Sequence, residues 1–166
     1  MLSFLPTYWF PQLTDLQPEF LRERGITLLL LDFDNTMLPY TTDEPTPELL
    51  DWLKRMQAAG VRLCIVSNSR RQRVPTFSER YGVPCVLRAV KPRTRGIRTA
   101  MQRFSAQKAE TALVGDQTYT DVLGANLAGI TSLQVRSIHN HTIWLKLRHI
   151  LELPCLWMAR KRRVEA

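Results

Sequence analysis

Five short runs of Leu, Val, Ile and Cys, at 28–33, 61–66, 83–87, 111–115 and 131–135, punctuate this 166-residue sequence. A strand with one face in water alternates apolar with polar residues, and the near-continuous apolarity of these runs suggests burial on both faces. A parallel sheet covered by helices on either side does this. The intervening segments carry helix signals. The clearest has Thr46 as N-cap, Pro47 in the first helical position, Leu49, Trp52, Leu53 and Met56 along one face, and Gly60 as terminator. Further helices are predicted over 72–81, 93–105 and 119–128, with Pro75 confined to a first turn and Gly82 and Gly129 as stops. Alternating strands and helices predict one doubly wound (Rossmann-like) α/β domain with its core at about 20–136, within a single domain of 1–166.

The last stretch reads differently. Ile143, Trp144, Leu147, Ile150 and Leu151 recur at helical spacing, Pro154 breaks the pattern, and a short apolar stretch ends in Arg160, Lys161, Arg162 and Arg163. A C-terminal helical appendage over about 140–166 is expected. His139, His141 and His149 fall beside packing residues and are read as helix neighbours, not ligands; Trp52 and Trp144 are read as core.

Composition is that of a globular chain, 45% hydrophobic and 23% charged, which excludes bulk disorder, and no apolar run reaches the roughly 18 residues of a spanning helix. The N-terminal MLSFLPTYWF has neither a basic leader nor a cleavable apolar segment, and Cys64, Cys85 and Cys155 show no paired spacing. A cytoplasmic chain with reduced thiols is the expectation. The net charge of +8 is uneven: residues 70–108 hold 11 basic groups against one acidic, while 1–69 and 109–135 are net acidic. A polyanion, a phosphorylated small molecule or an anionic membrane could each exploit that pattern.

The chemistry concentrates where the apolar runs end. LLLLDFDNT drives a strand into Asp32 and Asp34, then Asn35 and Thr36. Ligands of open α/β sheets bind at the carboxyl ends of the strands, and two adjacent carboxylates there repel unless a cation or a shared proton compensates them. Mg²⁺, a hard cation that keeps several waters, suits them. Ser67 and Asn68 end the second run, Lys91 follows the third, and Asp116 ends the fourth with Asp121 five residues on. Together these supply a carboxylate nucleophile, an acid and base, donors for phosphate oxygens, a cation and a metal ligand, the parts that phosphoryl transfer needs.

These four ordered motifs, Asp32-Phe33-Asp34-Asn35-Thr36, Ser67, Lys91 and Gly115-Asp116 with Asp121, resemble those of the haloacid dehalogenase (HAD) superfamily of phosphohydrolases. The likeness spans about 20–136. More narrowly, DFDNT, VSNSR, AVKP and GDQTYTDVLGAN resemble the YqeG-type phosphatases of subfamily IIIA. The resemblance implies a two-step hydrolysis. Asp32 would attack phosphorus to form an aspartyl-phosphate, while Asp34 protonates the leaving oxygen and then activates water. Mg²⁺ would be held by Asp32, the Asp34 backbone carbonyl and Asp116. Ser67 and the Asn35, Thr36 and Asn68 region would bind phosphate oxygens and Lys91 would neutralise them. Asp121 would support the metal site or orient Lys91.

Large caps in this superfamily follow the first or second motif. Only 30 residues separate Thr36 from Ser67 and 23 separate Ser67 from Lys91, each one βα unit, so no cap domain fits. The site is expected to be open, or covered by a partner subunit, which favours large or surface-bound substrates. Some similar proteins dephosphorylate phosphatidylglycerophosphate. Phe4, Tyr8, Trp9, Phe10 and the basic end at 160–163 offer contacts for an anionic membrane at its inner face; the competing reading makes the aromatics cover for the sheet edge. A phosphoprotein or a nucleotide is the alternative substrate. A non-catalytic nucleic-acid or ribonucleoprotein module using the 70–108 block is the alternative class, disfavoured by the intact acids and the lack of an RNP-type aromatic motif.

Overall fold

The computed structural model describes residues 3–138. Its centre is a six-stranded, wholly parallel sheet in which β1 (Tyr8–Phe10), β2 (Leu28–Leu31), β3 (Arg62–Val66), β4 (Cys85–Val86), β5 (Thr111–Gly115) and β6 (Thr131–Val135) lie in the order β1-β6-β5-β2-β3-β4. The chain winds outward from β2 through β3 to β4, then returns to the other side of β2 to place β5 and β6. The crossing between β2 and β5 is therefore the topological switch point.

Helices cover both faces, which is why β2 and most of β3 and β5 are apolar on both sides; β6 instead buries Ser132 and Gln134, each of which is hydrogen-bonded. Leu29 and Leu31 of β2 pack with Leu63, Ile65, Ala112, Val114, Leu133 and Val135 beneath α1 (Pro18–Glu23), α2 (Pro47–Ala58) and α3 (Arg73–Tyr81). Leu28 and Leu30 point the other way, with Cys64, Val66 and Leu113, beneath α4 (Arg95–Arg103) and α5 (Leu123–Ala128). All four leucines of β2 are fully buried, each contributing about 1.5–3 kcal/mol.

Helix α2 forms as its sequence dictates. The Thr46 hydroxyl accepts from the Leu49 N–H, and Leu49, Trp52, Leu53 and Met56 are its buried face. Trp52 is fully enclosed and its indole N–H donates to the Leu16 carbonyl at 2.7 Å. Trp52→Phe should cost about 2–4 kcal/mol, as a partly filled cavity and an orphaned carbonyl add. A urea titration of the variant reads this directly; an unchanged midpoint would mean that the indole is not anchoring α2. Gly60, Gly82 and Gly129 take positive φ where the helices stop.

Three expectations need correction. The sheet has six strands, not five, because Tyr8–Phe10 pairs with Leu133–Val135 at its edge. Trp9 and Phe10 are buried there, so these aromatics cover the sheet and are not free to enter a membrane; Phe4, partly exposed, stacks edge-on against Tyr119. The first apolar run leaves the sheet at Leu31, two residues early: the Asp32 N–H still donates to the Val114 carbonyl, but the chain then turns so that the Asn35 N–H meets the Leu38 carbonyl. The third run contracts to Cys85–Val86, a half-buried edge strand paired only with β3. Cys64 is buried and its thiol is pushed up to about 12 by that burial, whereas Cys85 is only half-buried. The appendage at about 140–166, with His139, His141, His149, Trp144, Cys155 and the basic end at 160–163, lies outside the described residues.

Candidate active site

Four strand ends meet beside the switch point. Asp32 and Asp34 follow β2, Ser67 follows β3, Lys91 is on the loop after β4, and Asp116 follows β5. Asp121 belongs to a π-helical turn, Thr118–Val122, that leads into α5. The wider turn folds its side chain back over Gly115, where a Cβ would clash with the Asp121 carboxyl group. The Gln117 N–H also donates to that carboxyl at 3.1 Å.

Lys91 is the junction of the site. Its ammonium lies 2.6 Å from Asp32 Oδ1 and 2.7 Å from Asp121 Oδ1, nearly enclosed. Burial alone would pull its pKa down, but Asp121 and then Asp32 outweigh that and raise it, so the residue stays a cation. Asp121 is pushed up to about 6 because it is wholly buried, Lys91 offsetting this only in part and the charge on Asp32 adding to it. Thr36 is central too: its hydroxyl is 3.2 Å from Asp32 Oδ2 and 3.3 Å from Asp116 Oδ1, and tethers one of these carboxylates at a time.

Asp32, Asp116 and Asp121 each offer an oxygen within 4.8 Å of the others. With Asp34 there are four carboxylates, against the side chains of Lys91 and Arg73. The cluster is short of two positive charges, and its donors are hard oxygens, so it fits a divalent cation that prefers them.

Asp34 has a different neighbour. The Arg73 guanidinium donates to Asp34 Oδ1 at 3.1 Å. Burial raises the Asp34 carboxyl, Arg73 opposes this, and Asp32 adds to it, leaving it above its ordinary value, which suits a group that must deliver a proton. Arg73 was not singled out in the sequence, where it is one of several arginines after Ser67. Its signal is positional: Pro75 fixes a first helical turn, which places Arg73 at the start of α3, next to the strand ends.

The other expected residues converge on the same place with differing jobs. Ser67 is buried and its hydroxyl accepts from the Ser69 N–H. The Asn68 amide is engaged with Lys91: its Nδ2 donates to the Lys91 carbonyl at 3.0 Å and its Oδ1 accepts from the Lys91 N–H at 2.7 Å. That side chain positions Lys91, and its second Nδ2–H is left for the expected phosphate contact. Asn35, in the left-handed region at φ 62°, is fully buried, and neither amide atom has a partner among the described residues. An amide left this way costs about 1–3 kcal/mol unless a ligand oxygen or water completes it.

Beside Thr36 opens a groove of about 610 Å³, walled by Leu13, Met37, Leu38, Leu49 and Ile138 with Arg136 among its polar residues. Between Thr36 and Ser67 the chain forms only a loop, α2 and β3, so among the described residues no cap domain stands over the site.

A family profile described as haloacid dehalogenase-like hydrolase matches residues 7–129. "Probable phosphatase YqeG" of Bacillus subtilis is 34% identical over 132 residues, covering 80% of this chain and 77% of that protein. Among solved structures, a subfamily III A hydrolase of the HAD superfamily from Legionella pneumophila aligns with a TM-score of 0.50 at 17% identity, over 86% of this chain and 90% of its own. The cobalt-bound deoxy-D-mannose-octulosonate 8-phosphate phosphatase of Haemophilus influenzae aligns with a TM-score of 0.53 at 18% identity, over 75% of each. These two structural likenesses concern the fold.

Proposed function

The chain belongs to the haloacid dehalogenase-like hydrolases and is a phosphatase, and from that premise we propose that it is a Mg²⁺-dependent phosphomonoesterase acting through an aspartyl-phosphate on Asp32, with phosphatidylglycerophosphate as substrate. Asp32 attacks phosphorus as the bond to the leaving oxygen breaks, and Asp34 gives that oxygen its proton. Asp34 then takes a proton from the water that attacks the aspartyl-phosphate, releasing inorganic phosphate and restoring both carboxyl groups. Lys91, held cationic between Asp32 and Asp121, offsets charge on the equatorial oxygens. Ser67 and Asn35 bind phosphate oxygens, and Asn68 and Thr36 hold Lys91 and the carboxylates in place. Asp32, Asp116 and the Asp34 carbonyl would hold Mg²⁺, with Asp121 in support, and the cation when bound neutralises the transferring group and orients it.

What supports a lipid substrate is the site's surroundings. With no cap among the described residues, the mouth is flanked by the apolar groove that begins at Thr36. Arg70, Arg71, Arg88 and Arg93 are exposed on the loops carrying Ser67 and Lys91, and none has an ion-pair partner among the described residues. A phosphorylated head group with an apolar body fits that division, and a soluble phosphopeptide or nucleotide leaves the groove unused. Peripheral contact with an anionic membrane, through Leu156, Trp157, Met158 and Arg160–Arg163, belongs to the same reading, each basic residue near the surface adding about 1 kcal/mol.

The test is phosphate release from phosphatidylglycerophosphate in mixed micelles, beside p-nitrophenyl phosphate, a phosphopeptide and a nucleoside monophosphate, with Mg²⁺ and with chelator. The lipid should show the highest kcat/KM, at least about tenfold above the soluble esters, and chelator should remove the activity. Faster turnover of the phosphopeptide or nucleotide would overturn the lipid assignment, and full activity in chelator would overturn the metal.

A further inference from the structure

Arg73 stands apart from the other arginines of the 70–108 block. Its side chain is 6% exposed, and its contacts run in two directions. Nη1 donates to Asp34 Oδ1 at 3.1 Å; Nη2 donates to the carbonyls of Pro39, at 2.8 Å, and Thr42; Nε lies 2.8 Å from Asp43 Oδ1. The guanidinium carbon lies 5.2 Å from the centre of the Phe33 ring, between the two aspartates of the first motif. Three of its five N–H groups thus donate hydrogen bonds, two to the carbonyls of Pro39 and Thr42 and one to Asp34, while Nε is ion-paired with Asp43. Bound this way, Arg73 has little left with which to grip a phosphate.

We infer that Arg73 is a positioning residue for the hydrolysis: it fixes Asp34 by one oxygen, leaving the other for the ester oxygen, and ties that aim to the 39–43 loop. The inference rests on the reading of Asp34 as proton donor. A planar fork is needed for the job. It spans Asp34, two carbonyls and Asp43 at once, whereas a lysine ammonium, with three donors on one atom, can satisfy one end only. Asp43 is 73% exposed, so it anchors the outer end of the fork and touches nothing that reacts.

A donor that is present but mis-aimed has a specific kinetic signature. Esters of acidic phenols leave without a proton and those of basic phenols do not, so poor aim steepens the dependence of kcat/KM on the leaving group, whereas a merely structural defect lowers all substrates alike. The experiment uses the full chain with Mg²⁺ and a series of substituted phenyl phosphates from p-nitro to p-methoxy. Arg73→Lys should lose about threefold on the p-nitro ester and about 30-fold or more on the p-methoxy ester, with KM nearly unchanged. Asp43→Asn, an exposed substitution that leaves the fold intact, should steepen the slope in the same sense by a smaller factor, and decides the matter if Arg73→Lys does not fold.

Asp34→Asn separates the two levels of the argument. It should give the steepest slope of all. If it leaves the wild-type slope, the acid reading falls and takes the inference with it. If it steepens the slope while Arg73→Lys, or Asp43→Asn in its place, keeps the wild-type slope, the inference alone is overturned.

Discussion

Asp32→Asn should reduce Mg²⁺-dependent turnover of p-nitrophenyl phosphate by a factor of about 10⁴ or more while leaving the protein folded. The amide cannot attack phosphorus, so the covalent route is lost, and losses of this size are what removal of a nucleophile produces elsewhere. Stability should move little, and upward if it moves. Asp32 is one of four carboxylates crowded against two cations, and the isosteric amide removes one negative charge while Lys91 keeps Asp121 at 2.7 Å. Two measurements decide it: phosphate release by the purified variant, and its thermal midpoint without added cation. Turnover within tenfold of wild type would eliminate Asp32 as nucleophile. A collapsed midpoint would show instead that the Lys91–Asp32 contact holds the fold together.

Gly115→Ala should be nearly as damaging, although residue 115 touches no substrate. The new Cβ would clash with the Asp121 carboxyl group, so that side chain must move away. Its departure removes one of the three clustered oxygens and one of the two carboxylates that keep Lys91 charged. Activity should fall by about 10² or more, the Mg²⁺ needed for half-maximal rate should rise several-fold, and overpacking should cost about 1–3 kcal/mol of stability. Asp121→Ala in the Gly115→Ala background distinguishes collision from other causes: if displacement of Asp121 is the whole effect, the double variant is no worse than Asp121→Ala alone. Further losses that add in full would point to β5 itself.

The legible parts of this molecule are those whose causes are local. The β2, β3 and β5 runs declare themselves because burial on both faces demands near-continuous apolarity, and α2 because its cap, stripe and stop lie within 15 residues. The pairing of Tyr8–Phe10 with Leu133–Val135 joins segments more than 120 residues apart, and nothing in a three-residue strand announces its partner. The candidate site divides the same way. Asp32, Ser67, Lys91 and Asp116 could be named because each follows a recognisable strand. Arg73 is harder to single out, since Arg70, Arg71 and Arg80 share its charge and only Pro75 marks its turn until the 39–43 loop receives it. Asn68 illustrates a subtler limit: its place in the site was readable, but only the approach of the Lys91 backbone shows which atoms it holds.

That approach has a dynamic consequence. A two-residue edge strand has few amides to protect it, and β4 should fray on a timescale far shorter than global unfolding. Were Lys91 fastened only through β4, each opening event would release the cation from the site. The Asn68 amide and the Ala89 N–H, which bonds to the Ser67 carbonyl, fasten the segment to the end of β3 instead. Amide exchange should therefore be rapid at Val86 and slow at Ala89 and Lys91, so that the weakest strand of the sheet can breathe while the charge that the chemistry depends on stays where it is.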